Sequence, residues 1–120
     1  MTDLQTDREM VEDITRMGVR AAVLLRGVML QKVDRETLEW GLGQLDAAGL
    51  LDRYFPELMA RPACVDLLNL LYLVYGLEGQ LDFQVQEYGL DSLKDDLQEL
   101  NGSLARIGEV FDLDELRQAV

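Results

Sequence analysis

Residues 64–75 read CVDLLNLLYLVY, and this apolar stretch decides the fold. Only Asp66 and Asn69 are fully polar, so a helix here is apolar all round, which is typical of a helix buried in a core. Twelve residues are too few to span a bilayer, which needs about 20. Pro62 suits the first turn of such a helix and Gly76 its C-terminal cap. We predict a central buried helix at about 62–76, and a buried strand is the competing interpretation.

The composition predicts one helical domain over residues 1–120. The net charge is −12, and residues 77–120 contribute −8 of it, because they hold 11 acidic but only 3 basic residues. Such a chain repels phosphate backbones and anionic lipids, so we expect no direct binding to nucleic acid and no membrane association. A basic protein partner is the complementary expectation, and whether the acidic half imitates a polyanion stays open. The N-terminal residues lack the features of a secretory signal and Cys64 stands alone, which favours the cytoplasm.

Two helices are predicted before the central one. The first begins at Thr6, where TDRE has the form of a capping box, and ends near Lys32. Its apolar residues recur at alternating spacings of four and three, as in helices packed lengthwise: Met10, Ile14, Met17, Ala21, Leu24 and Val28. The second has Asp34 as its N-cap and ends at Gly49. Residues 50–62 are expected to form a turn-rich connection with one short helical piece near Pro56.

Residues 79–89 are ambiguous, because Leu81, Phe83 and Val85 alternate with polar residues but also fit helical spacing. A lone strand is not stable without a partner, so we favour a helix or an extended connector. The last long helix begins near Asp91, and its leucine repeat continues in register across Asn101-Gly102, a potential turn. We prefer one helix there, followed by a short helix over residues 112–119. The predicted fold is an all-α bundle of four to five helices around the central apolar helix.

The side chains available for catalysis are few. The chain has no His and one Cys, which excludes imidazole chemistry and structural zinc sites built from one chain. Gly41-Leu42-Gly43 lies in a helical pattern without the third glycine or the preceding strand of a phosphate-binding loop. We therefore expect a non-enzymatic protein without a cofactor.

One acidic pattern favours an enzyme instead. Asp95, Asp96 and Glu99 precede Glu109 and Asp112, and this resembles the all-helical nucleotide pyrophosphohydrolases. The resemblance implies a magnesium-dependent enzyme whose two acidic sets lie on facing helices. In one straight helix the sets would point about 80° apart and lie about 15 Å apart, so the resemblance requires a turn at Asn101-Gly102. The alternative is a solvated acidic face beside the leucine repeat.

A second motif, Gly89-Leu90-Asp91-Ser92-Leu93, resembles the signature of acyl and peptidyl carrier proteins. The resemblance implies that Ser92 opens a helix and carries a phosphopantetheine arm, and that the acidic helix after it docks on basic patches of partner enzymes. The alternative is that Asp91 or Ser92 is an ordinary N-cap after a glycine turn.

The function that the residues favour is a small acidic protein-interaction module of adaptor or regulatory type. Its apolar surface exceeds what one small core covers, which predicts a homodimer. Two surfaces are candidates for partner binding. One is a groove formed by Trp40, Gly43 and Ala47, and the other is the acidic face of Asp95, Asp96 and Glu99. Alternatively, Trp40 packs against the 50–62 connection.

Overall fold

The computed structural model describes residues 2–111, with side chains from residue 8 onward, and these residues form helices and turns only. The helices are α1 (Thr2–Met29), α2 (Arg35–Gln44), α3 (Ala47–Ala60), α4 (Val65–Tyr88) and α5 (Ser92–Val110), with a 3₁₀ turn at Pro62–Cys64 before α4. The predicted all-α bundle around a central apolar helix is confirmed.

The central helix is longer than predicted. It continues through Gly76 and Gly79 to Tyr88, so the predicted end at Gly76 is wrong, and residues 79–88 are helical. A glycine inside a helix costs only about 1 kcal/mol relative to alanine. Burial of Leu77 and Leu81 beyond Gly76 outweighs that cost, and the helix ends only at Gly89, whose φ is 79°.

Burial of α4 is also one-sided rather than complete. Its buried side chains share one face: Leu67, Leu70, Leu71, Val74, Leu77 and Leu81. Val65, Tyr72 and Tyr75 lie on the other side and are about half exposed. The prediction of a helix buried all round is therefore wrong, because α4 lacks a neighbouring helix on its outward face within the described residues.

The ends of α1 differ from those predicted. The helix already includes Thr2, so the capping-box sequence at Thr6 does not start it. It ends at Met29, before Lys32, because the chain reverses direction there. Gln31 has a left-handed φ of 61°, and the N–H of Lys32 donates to the carbonyl oxygen of Gly27 at 2.8 Å.

Asp34 is the N-cap of α2, as predicted, and its carboxylate accepts a hydrogen bond from the N–H of Thr37 at 2.7 Å. This hydrogen bonding holds the pKa of Asp34 below its usual range. The predicted end of α2 at Gly49 is wrong, because Asp46 takes a left-handed φ of 52° and begins a new helix. Its carboxylate accepts from the N–H of Gly49 at 3.2 Å and caps α3.

The predicted turn-rich connection over residues 50–62 is likewise wrong, because α3 runs through it to Ala60. Pro56 lies inside this helix and lacks the N–H that would donate a hydrogen bond to the carbonyl oxygen four residues earlier. Pro56 is exposed, so water can satisfy the released carbonyl. Buried Tyr54 and Leu58 hold the helix on the core on either side of the proline.

The helix α5 is continuous across Asn101-Gly102, which confirms the preferred prediction. Leu93, Leu100 and Ile107 recur every seven residues and are buried. The short helix predicted for residues 112–119 lies outside the described residues. Packing places α1 and α4 against each other. The helix α5 contacts both of them, and so does α2, while α3 packs mainly on α4.

Replacement of Gly76 and Gly79 by alanine is expected to stabilise the fold by about 1 kcal/mol each, because both occupy helix interior. A Cβ at either site would meet no other described atom within 4 Å. Urea unfolding measures the gain. Gly89→Ala is the control and should destabilise, because the φ of 79° is unfavourable for alanine. A loss of stability in the first two variants would contradict a continuous α4.

Candidate interaction surface

Ser92 is the first residue of α5, as the carrier resemblance implies, but its hydroxyl takes part in two hydrogen bonds. The Oγ donates to the carbonyl oxygen of Gly89 at 2.8 Å and accepts from the Gln84 amide at 3.1 Å. These two bonds join the end of α4 to the start of α5. The geometry therefore gives Ser92 a structural part in the turn between the two helices.

We predict that Ser92 accepts no phosphopantetheine. Incubation of the chain with a promiscuous phosphopantetheinyl transferase and coenzyme A should leave the intact mass unchanged, because both hydrogen bonds would have to break before the hydroxyl is free to react. A known carrier protein in the same reaction serves as the positive control. A mass gain that Ser92→Ala abolishes would revive the carrier hypothesis.

The acidic residues predicted on α5 do not face one direction. Asp96 is half-buried and accepts a hydrogen bond from the Gln84 amide at 2.5 Å, so it faces α4. Asp95 and Glu99 are exposed and line a cleft between α4 and α5. Of the predicted acidic partner-binding residues, Asp95 and Glu99 lie together and Asp96 lies apart from them.

The arrangement needed for a pyrophosphohydrolase-like magnesium site is not formed by the described residues. Because α5 is continuous at Asn101-Gly102, Glu109 stays about 15 Å along the axis from Glu99. Among residues 8–111, whose side chains the structure describes, no group of three or more Asp, Glu or Cys side chains is placed to hold a metal ion. Asp112, which the resemblance also uses, lies outside the described residues.

The prediction of a groove beside Trp40 is correct for the placement of Gly43 but wrong for Ala47. Trp40 is 69% exposed and shares the outward face of α2 with Gly43, as predicted. Ala47 is fully buried in the first turn of α3, because the chain starts a new helix after Asp46. The exposure of Trp40 also rules out the alternative in which it packs against residues 50–62.

The outward face of α4 is the surface that the sequence prediction missed. Six residues make up this face. At 100° and 1.5 Å per residue, they fall within an arc of about 100° around the helix axis and extend over about 27 Å along it. They are Val65, Tyr72, Tyr75, Gly76, Gly79 and Phe83, and we call them the α4 face. Phe83 is 59% exposed and Tyr72 is 49% exposed. Helical periodicity extended to Tyr88 would have placed these residues on one side of α4, but it does not reveal that this side lies uncovered.

Two clefts flank the α4 face. The cleft between α4 and α5 has a volume of about 860 Å³ and is lined by Asn69 and Tyr72 on one side and by Asp95 and Glu99 on the other. The cleft between α3 and α4 has a volume of about 530 Å³ and is more apolar. It is lined by Ala48, Leu51, Asp52, Phe55, Pro56 and Tyr75.

Acidic side chains outnumber basic ones around the α4–α5 cleft. Arg106 also lines the cleft, but its guanidinium donates to Asp66 at 2.8 Å and to the buried Ser103 hydroxyl at 3.3 Å. The Arg106 charge is thus balanced by Asp66. The remaining charges around the cleft are those of Asp95 and Glu99, so its net charge is negative.

A three-residue cluster lies between α2 and α4. Arg35 forms ion pairs with Asp82 at 2.5 Å and with Glu39 at 3.5 Å. The hydrogen bond with Glu39 and the pairing with Arg35 hold the pKa of Asp82 below its usual range, and the hydrogen bond with Asp82 raises the pKa of Glu39. The ion pair between Arg35 and Asp82 links α2 to α4 at the residue next to Phe83.

The described helices are too polar or too short to cross a membrane. Comparison with protein-family models, with curated proteins and with solved structures finds no match for this chain.

Proposed function

We propose that the chain is a small acidic, non-enzymatic protein-interaction module of the cytoplasm, and that the α4 face is its docking surface, including for self-association. The observation that carries this proposal is the row of exposed aromatic side chains on the most apolar helix. Isolated exposed apolar residues are ordinary on protein surfaces, whereas contiguous ones mark interaction sites. Tyr72, Tyr75 and Phe83 are each about half exposed and lie along one side of α4.

The chemistry of the side chains supports binding over catalysis. Tyrosine and phenylalanine are enriched in the cores of protein interfaces, because rigid rings bury a large area at a small entropic cost. The chain has no His. The described carboxylates converge on no common ion, and Ser92 is engaged in the turn before α5.

The two glycines on the α4 face add a second argument. Gly76 and Gly79 lie in the helix interior with open space beside them. Glycine there weakens the isolated helix, but it lets another backbone approach closely. A docked helix that packs between Tyr72 and Phe83 would use that space.

The experiment is a concentration series of sedimentation equilibrium from micromolar to millimolar protein. We expect the average mass of the native chain to rise with concentration and that of Tyr72→Ser/Phe83→Ser to stay at the monomer value. Met59→Ser/Val110→Ser is the matched control, because both residues are about as exposed as Tyr72 and Phe83 but lie on α3 and α5, and it should behave as the native chain does. Equal association by the native chain and the double variant would contradict a docking role for the α4 face.

A further inference from the structure

We propose that the partner covering the α4 face is a second copy of this chain, which docks through the outward face of its α1. The association is then head-to-tail, because unlike faces meet. The inference rests on the proposed function of the α4 face and identifies its occupant.

The outward face of α1 carries exposed apolar residues. Val19 and Val23 of the helix and Leu30, which directly follows its last turn, lie within an arc of about 40° and are each about half to two-thirds exposed. The buried residues of α1, among them Ile14 and Leu25, occupy the opposite side. This half of α1 therefore presents an uncovered apolar row, as α4 does.

The segment of the chain that carries this row has only basic charges, although the protein as a whole is acidic. Residues 14–33 contain no Asp or Glu, and the basic side chains there are Arg16, Arg20, Arg26 and Lys32. Arg16 and Arg20 are exposed beside the apolar row, and they also line a cleft that contains Asp13 and Asp46. The Arg16 guanidinium lies 4.0 Å from the carboxylate of Asp13, at the limit of an ion pair, so most of its charge faces solvent.

The two faces match in length and in charge spacing. Val19 and Leu30 are eleven residues apart, and so are Tyr72 and Phe83, which gives each row an axial length of about 16 Å. Arg16 and Arg20 are four residues apart on α1, as Asp95 and Glu99 are on α5. Docking of the apolar rows would bring a pair of arginines to the pair of carboxylates, and an arginine beside Tyr72 could also lie over its ring.

The bundle holds these two faces on opposite sides of the molecule. The helices α1 and α4 pack against each other through their buried faces, so their outward faces point apart. One molecule cannot satisfy both faces by itself. Head-to-tail docking leaves one free face at each end of a pair, so further copies can add, either as a ring or as an open chain.

Charge also argues against the simpler dimer in which two α4 faces meet. That arrangement would bring the Asp95 and Glu99 pairs of both copies near one interface. Like charges placed together at an interface oppose association. Docking through α1 replaces this local repulsion with attraction between the arginines and the carboxylates.

The test uses two charge-reversal variants of the full chain in sedimentation at low salt. Arg16→Glu/Arg20→Glu and Asp95→Lys/Glu99→Lys should each self-associate at least about tenfold more weakly than the native chain. An equimolar mixture should associate again, because each reversed face then meets its complement. Lys94→Glu makes the same charge change as the single variant Arg20→Glu, and Lys94 is exposed but lines neither the α4–α5 cleft nor the cleft beside Arg16. Lys94→Glu should associate as the native chain does, whereas Arg20→Glu should associate more weakly.

The outcomes separate this inference from the proposed function. If Tyr72→Ser/Phe83→Ser abolishes association and Arg16→Glu/Arg20→Glu leaves it intact, the α4 face docks and head-to-tail pairing is overturned. If the arginine variant fails and the aromatic variant associates normally, the α4 face is not the docking surface. A native chain that stays monomeric at millimolar concentration overturns pairing with a second copy.

Discussion

We expect Leu70→Ala to lower the free energy of unfolding by about 3 kcal/mol, within the range of about 2–5 kcal/mol found for buried leucines. Leu70 is fully buried on the inner face of α4. A Cβ placed on Gly18 of α1 would lie 2.7 Å from the Leu70 Cδ2 and 3.2 Å from the Leu104 Cδ2 of α5. Leu70 therefore fills the point where three helices meet, and its truncation leaves a cavity that none of them can close alone.

Urea unfolding followed by circular dichroism measures this loss, provided that the m-value stays constant. Tyr72→Ala is the matched control, because Tyr72 lies two residues away on the same helix and is half exposed. We expect its stability to change by less than about 1 kcal/mol. Equal losses in the two variants would mean that α4 does not bury one face and expose the other.

A second substitution at Gly18 sharpens the test. Alone, Gly18→Ala gains about 1 kcal/mol of helix propensity, which is offset by the close approach to the Leu70 methyl groups. In the Leu70→Ala background those methyl groups are gone, and the new methyl occupies part of the cavity. The double variant should therefore lose less stability than the sum of the single variants, by about 1 kcal/mol.

An apolar repeat that stays in register across a potential break indicates a continuous helix, which was predicted for α5 but not for α4. In α5 the repeat of Leu93, Leu97, Leu100 and Leu104 stays in register across Gly102, and the helix is continuous. The apolar repeat of α4 crosses Gly76 in the same way, because Val74, Leu77 and Leu81 are all buried on one face. A local stop signal of about 1 kcal/mol is weaker than the burial of two leucines, which contributes about 1.5–3 kcal/mol each.

The helix α3 was not predicted, for a different reason. Pro56 indicates a break, but its effect is local, and the exposed side of a helix tolerates it. The start of α3 depends on Asp46 in a left-handed conformation, which no periodic pattern reveals. The sequence pattern consequently places Ala47 in the wrong helix and on the wrong surface.

The candidate surface was predictable in part. Exposed Trp40 and the carboxylates Asp95 and Glu99 follow from patterns within one helix. The α4 face does not, because it requires both the true length of α4 and the knowledge that its outward side lies uncovered between α3 and α5. That second fact depends on tertiary packing, which sequence periodicity alone leaves open.

Gly102→Pro is expected to cost about 3 kcal/mol or more, because proline removes a hydrogen bond in the helix interior and its ring clashes with the preceding turn. The helix α5 continues from Gly102 to Val110, so this position is interior. If Asn101-Gly102 were instead a turn between two helices, proline would be tolerated there. Thermal or urea unfolding distinguishes the two cases.

Gly102→Ala is the control at the same position. A Cβ there would lie 3.4 Å from an Arg106 guanidinium nitrogen, which can move, so alanine should stabilise α5 by up to about 1 kcal/mol. Gly102 also lines the α4–α5 cleft, one turn from Glu99. A break in α5 would displace Asp95 and Glu99 relative to Tyr72, so Gly102→Pro should also abolish the proposed self-association, whereas Gly102→Ala should preserve it. A proline variant that is both stable and associated would show that a continuous α5 is required for neither the fold nor the docking surface.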